Sequence, residues 1–336
     1  MSKMKAVQIK SRGADLELVE MEIPVPGDYE VLIKVEACGI CHGDAIVKSG
    51  FYPGITYPRT PGHEVVGVIM QTGSKAANWQ KGQRVGVGWH GGHCMQCSAC
   101  RRGDFWACEN SLTTGISIDG GYAEYMNART EALVSIPGEL ASTEAAPILC
   151  AGRTTFGALQ SSGARGGDLV AIHGLGGLGH LALQYSVKMG FKTAVISRGK
   201  DKEELAKKLG AHFYIDSSAA AAANELKKLG GARVILCTAP NGKAISDLLP
   251  GLGRNGQAIV VTGTNDKIEF PTNMLLGGGK SITGSVGGNM EEALHFSLLF
   301  NVIPMVEVFP LEQAAAAFEK MMSSKVHFRS VLKMGA

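Results

Sequence analysis

The two halves of the chain carry different periodicities. Up to about residue 150, β-branched residues cluster or alternate in short runs between Gly and Pro, as in VLIKVEACGI (31–40), HEVVGVIM (63–70) and QRVGVGW (83–89). Such runs predict strands joined by tight turns. From Asp168 the pattern changes. DLVAIH (168–173) reads as a buried strand, followed by GLGGLG and an apolar-periodic helix from Leu178 to Met189. TAVIS, FYID, RVILCTA, QAIVVTG and SITGSV continue a strand series, with helices expected at 201–210, 219–229 and 242–250. Strand and helix in alternation predict a doubly wound parallel sheet with right-handed crossovers, an α/β architecture. The last fifty residues hold helical text at MEEALHFSLLF and LEQAAAAFEKMM and a closing strand, FRSVLKM.

The turn after the first α/β strand carries chemistry. Gly174, Gly176 and Gly179 form G-x-G-x-x-G, with Gly177 inside the loop. The first glycine permits a tight turn, the second admits a pyrophosphate to the backbone, and the third lets helix pack on strand. This is a dinucleotide site by context, since the motif lies between a predicted strand and a predicted helix. The next strand ends AVISRGKDK, with Ser197 where an NAD site usually has an acid, then Arg198, with Lys200 and Lys202 nearby. A carboxylate there holds a ribose 2′-hydroxyl and repels a 2′-phosphate. A hydroxyl and a guanidinium bind the phosphate. The expected cofactor is therefore NADP(H), the competing reading being charges that only solvate a helix start.

Composition narrows the class. With 336 residues the chain favours two domains, and a net charge of +3 with 19% charged residues gives no basic stripe for nucleic acid. MSKMKAVQIK lacks a signal-peptide apolar core, and no run is long enough to span a membrane. These features predict a cytoplasmic protein.

Half of the eight cysteines, Cys94, Cys97, Cys100 and Cys108, fall within GGHCMQCSACRRGDFWACEN. C-x-x-C pairs in an intracellular-looking chain favour a metal over disulfides or inert buried thiols. Four thiolates suit a closed tetrahedral zinc, which is structural because no ligand position stays open. Of the others, Cys41 stands beside His42 and Asp44 in CGICHGD, His63 and Glu64 lie in TPGHEVVG, and Cys150 in AAPILCAG. No spacing rule links positions so far apart.

Taken together, CGICHGD, PGHEVVGVI, the four-cysteine lobe, AAPILCAG, GLGGLGHLA, AKKLGA and the final FRSVL resemble, nearly end to end, a zinc-dependent alcohol dehydrogenase of the medium-chain dehydrogenase/reductase superfamily. The Ser–Arg strand end is similar to its NADP-dependent, cinnamyl-alcohol-dehydrogenase-like branch. The resemblance implies a GroES-like β-rich catalytic domain at 1–152, with the zinc lobe at about 90–110. A Rossmann cofactor domain at 153–286 and a return to the catalytic domain at 287–336 complete the expected organisation. It implies a catalytic zinc on Cys41, His63 and Cys150, and so two Zn2+ per chain. Glu64 would assist ligand exchange behind the metal, and Asp44 would hold the zinc histidine. His42 would lie near the pyrophosphate, Thr154 against the nicotinamide, and Arg329 at the cofactor phosphates. Trp89 would line the alcohol pocket. The implied partners are a small alcohol or aldehyde and a second copy of the chain, as a homodimer or homotetramer. Cys38 and Cys237 match no ligand position.

Two departures stand out. Gly43 replaces the hydroxyl residue that usually bonds the alcohol, and Ile46 replaces a histidine that passes its proton to solvent. Protons are expected to leave through water or ribose, with His42 a participant, and Gly43 is expected to enlarge the pocket. A polyol or sugar dehydrogenase and a non-catalytic NADP(H)-binding sensor are the competing readings.

Overall fold

The computed structural model describes residues 2–52 and 54–335. The chain forms two compact units, one of residues 1–150 and 304–336 and one of 151–303.

The first unit is built on a seven-stranded sheet. Its path runs Val306–Pro310, Arg329–Lys333, Glu30–Ile40, Val65–Thr72, Arg84–Val87 and Leu133–Ser135, and Tyr125–Arg129 also pairs with Glu30–Ile40. The long central strand buries Val31, Ile33, Val35, Cys38 and Ile40 against Val65, Ile69, Val85 and Val87 in one apolar core. Residues that cluster by β-propensity in the sequence thus become neighbours through strand pairing. The register sets Cys38 opposite Val65 and Ile40 opposite Ser330. That placement brings the strand ends next to Cys41, His63 and Arg329 together at one end of the sheet's interior strands. An N-terminal antiparallel hairpin, Lys3–Ile9 with Leu16–Glu22, lies in the strand-and-turn half, although the sequence pattern does not single out its strands. Its outer strand is largely exposed, so the alternation there is weak.

The second unit holds six parallel strands in the order Phe213–Asp216, Lys192–Ser197, Leu169–His173, Ala232–Cys237, Leu252–Val260, Ser281–Gly284. Numbered along the chain this is 3-2-1-4-5-6, the dinucleotide-binding order. The strand Leu169–His173 is buried throughout, as a central parallel strand with helices on both faces must be. The return to the first unit comes at Pro304, later than the 287 expected. The reason lies in the helix Met290–Phe300. Ser297 bonds the buried Tyr185 hydroxyl at 2.7 Å, and Phe296 stacks obliquely on Phe156, its centroid 5.1 Å away. These contacts tie the helix to the cofactor unit. Among the described residues, no helix is long and apolar enough to cross a membrane.

Candidate active site and metal centres

Cys41 follows the central strand directly and caps a 3-10 turn, His42–Asp44. The turn is closed reciprocally, since the Cys41 N–H donates to Asp44 Oδ2 at 2.9 Å and Cys41 Sγ accepts from the Gly43 N–H at 3.5 Å. His63 arrives by a different device. Gly62 takes φ +103°, and a Cβ there would lie 2.4 Å from the Tyr122 ring, so glycine is required both by conformation and by space. Cys150 sits on a π-helical turn, Ile148–Gly152, that follows Pro147. Such turns recur at functional sites.

These elements bring Cys41, His63, Glu64 and Cys150 together, one ligand atom from each lying within 4.8 Å of the others. The two sulfurs are 3.8 Å apart. A tetrahedral zinc with bonds of ~2.3 Å to sulfur separates its sulfurs by about 3.8 Å. His63 Nδ1 lies 3.0 Å from Asp44 Oδ1, so its Nδ1–H donates to the carboxylate, while the buried Nε2 has no hydrogen-bond partner. An oriented imidazole with an unpartnered inward nitrogen between two thiols is a donor set that fits zinc. The protonation pattern agrees. The hydrogen bond from Cys150 holds the Cys41 thiol well below its usual range and pushes the Cys150 thiol well above. Burial works against protonation of His63, but the charge and hydrogen bond of Asp44 together with the Cys41 thiolate outweigh it and lift the imidazole well above its usual range. The protons so held would leave when a divalent cation binds.

Asp44 does more than hold the imidazole. It caps the turn, and it accepts from the buried Tyr122 hydroxyl at 2.8 Å. Tyr122 went unnoticed in the sequence, where only its place in GGYAEY marked it. Behind the cluster the fully buried Glu64 pairs with Arg329 Nη2. Gly39 makes room for it, since a Cβ there would lie 1.9 Å from Glu64 Oε2. Burial pushes the Glu64 carboxyl up to about 7 despite the Arg329 charge. Arg329, expected from the resemblance at the cofactor phosphates, is buried against Glu64. His42 is exposed.

The space beside Gly43 is filled, contrary to the expected enlargement. A Cβ on Gly43 would lie 2.8 Å from Trp89 Cζ3 and 2.8 Å from His63 Cε1. Trp89 meets His63 edge-on, with centroids 4.8 Å apart. Ile46 packs against the core. Gly43→Thr should therefore destabilise the protein by about 1–3 kcal/mol through overpacking. The loss should shrink in a Trp89→Ala background, and thermal melts of the four-member cycle measure that coupling. Additive melts would mean the ring is not what crowds the site.

The four-cysteine lobe is a second donor set. Cys94 Sγ lies 4.0 Å from Cys100 Sγ and 3.6 Å from Cys108 Sγ. Backbone N–H groups of Cys97 and Asn110 point at Cys94 and Cys108 sulfurs, both at 3.4 Å. Hydrogen bonds from the Gln96 and Cys97 backbone bring the Cys94 thiol down to about 6, whereas burial drives Cys100 up to about 12. All eight cysteines are free.

In the second unit the glycines behave differently from one another. Gly174 has φ +96°, a Cβ on Gly179 would lie 1.9 Å from the Gly174 carbonyl oxygen, and Gly176 is exposed and faces open space, with Gly177 after it half-buried. Ser197 ends its strand half-buried and Arg198 is exposed. Lys202 Nζ donates to the Leu175 carbonyl at 2.8 Å, tying the second βα turn to the glycine loop. Thr154 lies half-buried on the helix Arg153–Gln160.

Comparison with known proteins places the chain. Residues 27–138 match the alcohol dehydrogenase GroES-like domain and residues 177–299 the zinc-binding dehydrogenase domain. The alcohol dehydrogenase patD of Penicillium expansum is 43% identical over 336 residues, covering 99% of this chain and 98% of that one. Among solved structures, the cinnamyl alcohol dehydrogenase SbCAD4 of Sorghum bicolor superposes with a TM-score of 0.87 at 29% identity, over 99% of this chain and 98% of that one. CAD from Helicobacter pylori, complexed with NADP(H), gives 0.86 at 25% identity, over 98% of each chain. The protein is an oxidoreductase of small-molecule alcohols and aldehydes that uses zinc and a nicotinamide cofactor. With a GroES-like domain and a parallel-sheet cofactor domain, the chain belongs to the zinc alcohol dehydrogenases of the medium-chain dehydrogenase/reductase superfamily.

Proposed function

We propose that the protein is an NADP(H)-preferring alcohol dehydrogenase with two zinc ions per chain, acting mainly as an aldehyde reductase on primary alcohol/aldehyde pairs. The convergence of Cys41, His63 and Cys150, with His63 Nε2 unpartnered, is the observation that carries the catalytic-zinc reading. Cys94, Cys97, Cys100 and Cys108 would hold the structural ion. Zinc at the first site would polarise the substrate oxygen while the nicotinamide carries hydride to or from the carbon. The chain's own groups then have defined tasks. Asp44 fixes the tautomer and orientation of His63. Glu64, with its carboxyl near 7, can exchange a proton beside the ligands. Trp89 walls the site next to His63. With Gly43 and Ile46 offering no relay, water or ribose moves the alcohol proton, and His42 is exposed to receive it.

Ser197 and Arg198 at the end of the second strand support NADP(H), since neither is an acid that would repel a 2′-phosphate. Gly174, Gly176, Gly177 and Gly179 would take the pyrophosphate, Thr154 the nicotinamide, and Lys202 a further cofactor contact. The strand Ser281–Gly284 pairs on one side only, which supports a homodimer or homotetramer through that edge. Eight free thiols support a reducing, cytoplasmic setting.

The test is aldehyde reduction by the purified protein with NADPH and with NADH, before and after a zinc chelator. Chelator-sensitive turnover that prefers NADPH is expected. Ser197→Asp combined with Arg198→Ile should lower the NADPH/NADH preference at least about 100-fold, because two charge-assisted bonds are lost. Equal wild-type rates with the two cofactors would remove the NADP(H) preference and leave the enzyme class standing.

A further inference from the structure

The turn that presents Arg198 is held from outside. The strand Phe213–Asp216 runs parallel to Lys192–Ser197, with Asp216 opposite Ser197. Beyond Ser197 the chain passes through Arg198 and turns at Gly199, which has φ +70° and open space where a Cβ would be. Both backbone groups of Gly199 are bonded by side chains of the neighbouring strand. The Tyr214 hydroxyl donates to the Gly199 carbonyl at 2.8 Å, and Asp216 Oδ1 accepts the Gly199 N–H at 2.9 Å. The Ser217 N–H donates to the Ser197 carbonyl at 3.0 Å. Arg198 is therefore fixed on both flanks while its side chain stays exposed.

Asp216 ends a strand, as the ribose-binding acid of an NAD site does. Its chemistry is committed elsewhere. Besides Gly199, Oδ1 accepts from the Ser218 N–H at 2.9 Å and from the Ser218 hydroxyl at 2.6 Å. The carboxylate serves as a loop anchor. Glycine in a turn has the widest backbone freedom of any residue, so without these bonds the guanidinium next to it would have to be ordered by the ligand.

We infer that Tyr214 and Asp216 are positioning residues for the cofactor's 2′-phosphate, holding Gly199 so that Ser197 and Arg198 converge on one anion. The inference rests on the NADP(H) reading above. It separates two things that simple loss of stability would not, because it concerns the 2′-phosphate and leaves the adenosine untouched.

The experiment is calorimetric binding of 2′,5′-ADP and of 5′-AMP to the full-length protein, as wild type, Tyr214→Phe, Asp216→Ala and Asp216→Asn, with melting temperatures alongside. Tyr214→Phe should weaken 2′,5′-ADP by about 3–10-fold and Asp216→Ala by about 10-fold or more, while 5′-AMP changes less than about twofold. Asp216→Asn, whose amide oxygen can still accept the Gly199 N–H, should recover most of the loss. Equal weakening of both ligands would assign the pair a purely structural role and overturn the inference. So would unchanged ratios in variants of a wild type that does prefer 2′,5′-ADP, with the NADP(H) reading intact. A wild type with no preference would overturn both.

Discussion

Cys150→Ala should abolish turnover while leaving the chain folded and the lobe's zinc in place. The substitution removes one of the two thiols that face each other at 3.8 Å and leaves His63 and Cys41 without a third strong donor. Lewis-acid stabilisation of a developing charge is worth several kcal/mol, so turnover should fall by at least roughly 10³-fold. On the proposed two-zinc reading, metal analysis should drop from two zinc ions per chain to one. Cys97→Ala should give the complementary pattern. It should remove one of the lobe's four sulfurs, lower thermal stability there and leave low-temperature turnover largely intact, because the two clusters use separate residues. Asp44→Asn would sit between these extremes. Losing the charge beside His63 Nδ1 should weaken zinc at the first site by about 10–100-fold. Full activity in Cys150→Ala with both zincs retained would remove Cys150 from the site altogether.

What the sequence disclosed and what it hid follow from the range of the interactions involved. The α/β half was readable because each strand is a short run bounded by a glycine or a polar turn, and DLVAIH through SITGSV all became strands of one parallel sheet. The clustering of Cys94, Cys97, Cys100 and Cys108 was readable because all four lie within one segment. The other cluster was not, since Cys41, His63 and Cys150 meet only once the register of Glu30–Ile40 against Val65–Thr72 and the π-turn at Ile148–Gly152 are set. Resemblance grouped those residues, and periodicity could not have done so. Arg329 and Glu64, 265 positions apart, meet for the same reason. Gly43 misled in an instructive way. A missing side chain implies empty space only when no neighbour fills it, and here Trp89 and His63 do. The helix Met290–Phe300 was recognised as a helix, but its allegiance to the cofactor unit depends on Tyr185 and Phe156, which no local pattern reveals.

Glu64→Ala should be the most destabilising single change at the metal edge of the sheet. The carboxylate is fully buried and its partner Arg329 nearly so. Removing it leaves a guanidinium that cannot shed its proton in a place water does not reach. Breaking a buried pair from one side costs roughly 3–5 kcal/mol, a fall in melting temperature on the order of 10 °C for a unit of this size. Arg329→Met should cost less, because the surviving carboxyl can take up a proton. Burial already holds it at about 7. The sign of the pH dependence follows. A carboxyl whose pKa is raised on folding binds more protons folded than unfolded, so its contribution is complete below the unfolded value near 4.3 and is lost as pH rises through about 7. In metal-free Arg329→Met, with the compensating cation gone, that loss should extend to higher pH still. The double variant Glu64→Ala/Arg329→Met carries neither charge. It should regain much of the stability lost in Glu64→Ala and show the flattest dependence between pH 5 and 8. Melts of the four proteins across that range measure it. If Glu64→Ala melts with the wild type, Arg329 is finding another counter-charge, and Glu64 is free to serve the metal site alone.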